Sequence, residues 1–297
     1  MFLSLKDIHE LRNSIRNEYR IRRFIRENPE IKGLLSPNKL FRDKYKGQRC
    51  FVLGNGPSLK NVDFSLLQDE IVFTVNQLPR NKEYEKLKSN FHFWADERFF
   101  NIDETKPEDL ELLDVMKSVN TPGNKPVVFY EYCAKQMIEK YDLDKVLDIH
   151  YFALVHLDFD AYTKRHKIEV DKCFPNLPTV VHSIIAMAVD MGFSEIILLG
   201  CDCTGFITTA QAKMKNWNND ILYGYKISEN EKKRLEKSNN MFSIENELRF
   251  YANIFATYSK LNKLAEKNGV KIYNATEGGL LDCIPRVDYN SLFNKND

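Results

Sequence analysis

The chain has 297 residues, 43% hydrophobic and 29% charged. That is a globular balance, with room for one large α/β domain plus an extra segment or for two small domains. Net charge is +1, but residues 1–50 carry 13 Lys and Arg against 6 Asp and Glu, and the remainder carries 30 against 36. This excludes nucleic-acid or other polyanion binding by the whole chain and leaves only a basic N-terminal segment suited to an acidic surface. There is no secretion signal, and no apolar run is long enough to span a bilayer.

Residues 2–28 are expected to be helical. Ile8, Leu11, Ile15, Tyr19 and Phe24 recur at three to five residue spacing, beside Arg12, Arg16, Arg20, Arg23 and Arg26. Two readings follow: a helix that packs its apolar side on the main domain, or a basic amphipathic helix lying on an anionic membrane or a partner. Residues 29–47, with Pro29, Gly33 and Pro37, read as a linker. The expected division is therefore 1–47, a basic helix and linker, and 48–297, a catalytic domain.

That domain opens on Arg49-Cys-Phe-Val-Leu-Gly-Asn-Gly-Pro-Ser-Leu-Lys60, a buried strand entering a glycine turn. Gly54 and Gly56 permit close approach to the backbone, Pro57 presets a helix start, and Ser58 adds a hydroxyl. Such a loop after a strand can cradle a phosphate or be a plain structural turn. A short helix is expected over 61–68. Further strands are expected at Ile71–Asn76, Phe91–Asp96, Lys125–Tyr130 and Val146–Phe152. The aromatics Phe91, Phe93, Trp94, Phe99 and Phe100 read as core rather than as a sugar platform.

Residues 178–192 are apolar nearly all round and end at Gly192, which gives a buried helix. Glu195–Asp202 is a strand ending in an acid. Residues 204–243 are long and polar, a lid or binding loop, within which the Lys/Glu-rich run 226–237 reads as a solvated face. A long helix over 244–268 and a strand over 270–276 follow, then Glu277-Gly278-Gly279. The six cysteines form no Cys-x-x-Cys pair and fit reduced thiols of a cytoplasmic protein.

Apolar strands alternating with helices imply an α/β, Rossmann-like, mostly parallel sheet with helices on both faces, plus the N-terminal helix and the lid segment. Asn55, Asn76, Asp96, Asp202 and the 277–279 loop then all lie at carboxyl ends of strands, where open sheets bind ligands.

Gly54-Asn-Gly-Pro-Ser-Leu-Lys60, Val72-Phe-Thr-Val-Asn-Gln77, Thr179 opening a helix, and Glu195-Ile-Ile-Leu-Leu-Gly-Cys-Asp202 resemble the bacterial sialyltransferases of glycosyltransferase family 42. The outline also resembles the motility-associated flagellin glycosyltransferases and the 6-hydroxymethylpterin diphosphokinase-like proteins. The resemblance covers about residues 48–280. It implies a CMP-activated, sialic-acid-like donor, a glycan acceptor of a bacterial surface polymer, and metal-independent inverting transfer on the cytoplasmic side, at the inner face of the membrane if residues 1–28 dock there. A homo-oligomer is compatible with it.

By position, Asn55, Asn76 and Thr179 would contact the donor, with Gly54, Gly56, Ser58, Gly200, Glu277, Gly278 and Gly279 lining its site. Tyr223 and Tyr225 would stabilise the departing phosphate, as phenol hydroxyls can. The family's lid histidine is absent, since no histidine follows His182. Asp96, Asp202, Glu245 and His182 remain as alternatives for the base. An arginine before the matching threonine is replaced by Leu177 and Pro178. A competing function is a phosphotransferase of the diphosphokinase type, with Asp96 and Asp202 holding Mg²⁺ near ATP. A third is a non-catalytic nucleotide or glycan binder.

Overall fold

A computed structural model describes residues 5–214, 223–241 and 243–294. Residues 2–4 of the expected first helix and 215–222 and 242 of the expected lid lie outside the described residues. Seven strands form the main sheet: β1 Arg49–Leu53, β2 Ile71–Val75, β3 Phe91–Trp94, β4 Val127–Glu131, β5 Asp148–Phe152, β8 Glu195–Leu199 and β9 Lys271–Asn274. Two further strands, β6 Leu154–Val155 and β7 Phe174–Pro175, pair apart from it. The sheet order is β5-β4-β3-β2-β1-β8-β9, and every pairing in it is parallel. The order reverses beside β1, between β2 and β8, so the crevice above β1 is the topological switch point.

The strands are apolar on both faces because both faces are covered. Cys50 and Val52 join one core, with α6 Val180–Met191 and α9 Ile244–Lys267 packed over it. Phe51 and Leu53 join another, with Leu59, Phe64 and Leu67. The aromatics Phe91, Phe93, Trp94, Phe99 and Phe100 are all buried. α6 begins at Thr179, whose hydroxyl accepts the His182 amide at 3.4 Å, and stops at Gly192 with φ +92°.

The stretch 29–47 is not a linker. α2 Ile31–Leu35 and a 3₁₀ turn at Ser36–Phe41 bury Ile31, Leu35 and Phe41. Asn38 is fully buried and donates to Tyr151 O at 2.7 Å and Val170 O at 2.9 Å, pinning the segment to the β5 end of the sheet. The polar stretch 101–124 contains α3 Pro107–Lys117, started by Pro107 with Glu108 and Asp109 in its first turn. α4 Lys135–Lys140 and α5 Phe159–Thr163 were not expected.

The first helix, α1 Leu5–Glu27, follows the core-packing reading only in its C-terminal half, where Ile21, Phe24 and Ile25 pack against core residues. Ile8, Leu11, Ile15 and Tyr19 are 40–62% exposed, and Ser14 and Asn17 are the buried side chains. Within 204–243 the chain forms α7 Gly205–Lys213 and α8 Glu229–Met241.

Candidate functional site

The site is built where β1 and β8 end. Gly54 N–H donates to Leu199 O and Gly56 N–H to Gly200 O, both at 2.8 Å. Ser58 N–H and Oγ–H then donate to the two oxygens of Asp202 at 3.1 and 2.8 Å. A Cβ on Gly56 would stand 1.8 Å from Asp202 Oδ2, and one on Gly54 would stand 2.4 Å from Gly200 O. These glycines therefore let two loops interlock; the space a ligand cradle would need at them is filled by β8's own loop. Burial raises the Asp202 carboxyl, and the two bonds from Ser58 oppose that rise.

The loop after β9 closes the other side. Leu280 N–H donates to Asp202 O at 2.8 Å, and Gly279, at φ +70°, lies where a Cβ would meet Asp202 backbone at 2.9 Å. Arg286 donates to the carbonyls of Thr276, Gly278 and Gly279, and Glu277 accepts from Asn61. Glu277 and Gly278 are exposed and serve this loop's own fold. Gly200, at φ +63°, leaves room for Leu59.

Two side-chain carbonyls remain unused. Asn55 donates weakly through Nδ2 to Val75 O at 3.3 Å, which carries its side chain to the end of β2 beside Asn76. Asn55 Oδ1 and Asn76 Oδ1 are buried and have no hydrogen-bond partner among the described residues. Asn76 adopts φ +46°, a conformation asparagine tolerates better than most residues and one that clusters at functional loops. Two orphaned acceptors at the ends of neighbouring strands are costly unless a ligand or water supplies donors.

The lid segment reaches this crevice at Gly224. Its N–H donates to Asn55 O at 3.0 Å, and its carbonyl accepts from Asn81 at 3.2 Å. A side chain there would meet Leu59 Cβ at 2.7 Å and Gly56 O at 2.9 Å. The rings of Tyr223 and Tyr225 flank it, stacked with centroids 5.2 Å apart and planes at 13°. Burial pushes the Tyr223 phenol up to about 12 and raises Tyr225 well above the ordinary phenol value. Both phenols are therefore neutral hydrogen-bond donors near pH 7.

α8 is fastened to the sheet by a polar network. Glu231, with its side chain fully buried, accepts from Gln77 Nε2 at 2.8 Å and from Arg234 at 2.9 and 2.8 Å. Gln77 in turn accepts from Arg80 at 2.7 Å. Glu111 of α3 pairs with Arg80 and accepts from Ser228 at 2.6 Å and Asn230 at 3.0 Å. The run 226–237 is thus no simple solvated face. A cavity of about 640 Å³ opens beside this network, lined by Lys60, Arg80, Lys82, Tyr225 and Lys226 among others. Arg80 Nη2 is buried there without a partner among the described residues.

The remaining candidates separate. Asp96 binds the guanidinium of Arg98 at 2.9 and 3.0 Å. Arg98 also feels Tyr223 and Glu247 electrostatically. Glu247, in the first turns of α9, has its carboxyl raised by burial, with Arg98 opposing. No motif marked it in the sequence; only its place after the Ser243 cap could have suggested it. Glu245 is exposed and pairs with Arg249. His182 is fully buried, bonded to Thr179 Oγ1 at 3.1 Å and set edge-on to Tyr258, and burial lowers it to about 3. A neutral, inaccessible imidazole cannot take a proton from a bound acceptor. Thr179 is occupied in the same cap.

Asp96 and Asp202 do not meet. They follow β3 and β8, which are three strand spacings apart, roughly 14 Å at ~4.8 Å per spacing. Ligands to one Mg²⁺ sit within about 2.1 Å of it, so these two acids cannot share an ion in this arrangement. Among the described residues, no group of three His, Cys, Asp or Glu side chains is placed to hold a metal.

A parallel sheet with its switch point above β1 and helices on both faces defines a Rossmann-like α/β fold. The chain belongs to the 6-hydroxymethylpterin diphosphokinase MptE-like family, whose sequence model matches residues 22–206. Among solved structures it is similar to the sialyltransferase CstII from Campylobacter jejuni in complex with cytidine-5'-monophosphate. Identity there is 21% and the TM-score 0.46, over 85% of this chain and 88% of that one. It is also similar to the MAf glycosyltransferase from Magnetospirillum magneticum AMB-1, at 11% identity and TM-score 0.47, over 89% of this chain and 38% of that one. No curated protein sequence matches the chain.

Proposed function

We propose that the chain is a glycosyltransferase that moves a sialic-acid-like sugar from a CMP-activated donor to a hydroxyl of a bacterial surface glycan. The observation that carries this reading is the seating of Tyr223-Gly224-Tyr225 on the β1 loop through the Gly224–Asn55 bond, beside the orphaned carbonyls of Asn55 and Asn76. Those carbonyls suit the hydrogen-donating groups of a nucleoside, such as ribose hydroxyls or an exocyclic amine. The neutral phenols suit the charge that grows on a departing phosphate. The cationic cavity lined by Lys60, Arg80, Lys82 and Lys226 suits the carboxylate of an acidic sugar or acceptor.

In the step itself the acceptor oxygen bonds to the anomeric carbon as that carbon's bond to the CMP phosphate breaks. The acceptor proton goes to a carboxylate, a role we assign to Glu247, whose pKa burial raises.

The test is release of CMP from CMP-linked sugars by the purified chain in EDTA. Turnover that falls by about 10²-fold or more in the Tyr223→Phe, Tyr225→Phe pair, with donor binding retained, supports the reading. Failure to release CMP from any such donor, with Mg²⁺-dependent consumption of ATP instead, assigns the site to pyrophosphoryl transfer, the chemistry that the family's description suggests.

A further inference from the structure

α1 is turned inside out relative to an ordinary surface helix. Over Asn13–Arg20 its side toward the body is polar, and only further along do Ile21, Phe24 and Ile25 pack against core residues. Asn17 exchanges two hydrogen bonds of 2.9 Å with the Asp158 backbone, Asn13 donates to Asp158 Oδ2 at 3.1 Å, and Arg20 donates to His156 O at 2.7 Å. Its apolar side faces out. Ile8, Leu11, Ile15 and Tyr19, spaced by three, four and four residues, form one stripe, and all four are exposed, Ile15 at 62%. Apolar residues with helical spacing ordinarily cover a core, so a stripe held outward by four polar bonds needs another partner.

The charges beside the stripe say what kind. Arg12, Arg16 and Arg23 are exposed along one flank at helical spacing. The other flank is the turn after α5, which reaches α1 through Lys164 to Glu10 at 2.5 Å and His166 to Glu18 at 2.9 Å, and exposes Arg165 and Lys167 as well. Arg22 and Arg26 continue the line of the stripe toward the helix end.

We propose that α1 and the turn at 164–167 form a docking face for an anionic phospholipid surface, the four apolar side chains entering between headgroups that the cations bind. An interfacial helix of this kind carries arginine or lysine beside a narrow apolar face, as here. A second copy of this chain fits the same face poorly. Four apolar residues fall far short of the roughly 20–30 residues a side that a stable protein interface uses, and the flanking arginines would oppose one another. Among the described residues no helix is long and apolar enough to cross a membrane, so the contact would be peripheral.

The test is cosedimentation of the full chain with vesicles of phosphatidylcholine alone and of phosphatidylcholine mixed with phosphatidylglycerol. The expected result is binding to the anionic vesicles only, lost at about 0.5 M salt, where the Debye length shrinks to a few Å. Ile15→Ser should weaken partitioning roughly tenfold through lost apolar burial. Arg12→Gln with Arg16→Gln should weaken it roughly 25-fold at about fivefold per charge. These side chains are exposed and leave the Asn13, Asn17 and Arg20 bonds in place, and unchanged melting curves will confirm that the variants fold. Equal binding to both vesicle types, or to neither, would overturn the proposal. So would a concentration-dependent dimer that Ile15→Asp dissociates while vesicle binding is absent.

Discussion

Glu231 gives the sharpest handle on how α8 is held. Its carboxylate is fully buried and receives hydrogen bonds from Gln77 and from two nitrogens of Arg234. In Glu231→Ala, the Gln77 amide loses its acceptor and the Arg234 guanidinium, which lies over Phe99 with only 19% of its side chain exposed, loses its counter-ion. Each bond to a charged group contributes about 1.5–3 kcal/mol, and breaking a buried pair from one side costs about 3–5 kcal/mol, reduced here because Arg234 can recover some water. A local cost of about 3 kcal/mol corresponds to about 150-fold more frequent opening of α8. Native-state hydrogen exchange should therefore show the amides of 229–241 losing about two orders of magnitude of protection, with those of β1 and β8 changed far less. Unchanged protection across α8 would refute the idea that this buried carboxylate fastens it.

Two other perturbations follow, one from close contacts and one from burial. Gly56→Ala should cost about 3 kcal/mol, because its Cβ would displace the Asp202 carboxylate and break both Ser58 bonds, whereas Gly33→Ala in α2, with nothing within 4 Å, should be neutral or slightly stabilising in the same thermal melts. Burial also lowers both His92 and His182 to about 3. A folded pKa below the unfolded value near 6.5 means the unfolded chain binds the proton first, so stability is present above that value and is lost as pH falls from there toward 3. Urea unfolding at pH 8 and at pH 5 should differ by about 2 kcal/mol for each histidine, and His182→Gln should remove its share.

The strands were legible because runs such as Ile71–Val75 and Ile196–Leu199 are rich in apolar and β-branched residues with no polar alternation, the pattern of a doubly covered sheet. The gathering of Asn55, Asn76 and Asp202 near one edge followed from that regularity. What those residues do there was less legible. Gly54 and Gly56 look the same in sequence whether a phosphate or a neighbouring loop occupies the space, and only the position of Asp202 decides it. Residues 29–47 carried punctuation typical of a linker, yet the buried amide of Asn38 and the rings of Phe41 and Phe91 tie them to the sheet. The start of α8 did have a local signal, Ser228 three residues before Glu231, and Ser228 Oγ accepts the Glu231 amide at 3.0 Å. Glu231's side chain spends its bonds on Gln77 and Arg234, contacts set by tertiary structure that no spacing encodes. The outward stripe of α1 is the same lesson in reverse, since helical periodicity fixes which residues share a face and leaves open which way that face turns.

The central claim is a nucleoside site at the orphaned carbonyls of Asn55 and Asn76. Its most direct test is thermal stabilisation by CMP, UDP, GDP and ATP, each with EDTA and with Mg²⁺, in the wild type and in Asn55→Ala, Asn76→Ala. CMP at about 100 times its dissociation constant should stabilise the wild type by about 2.7 kcal/mol in EDTA and the double variant hardly at all. An ATP shift that requires Mg²⁺, or a CMP shift of equal size in the double variant, would contradict it.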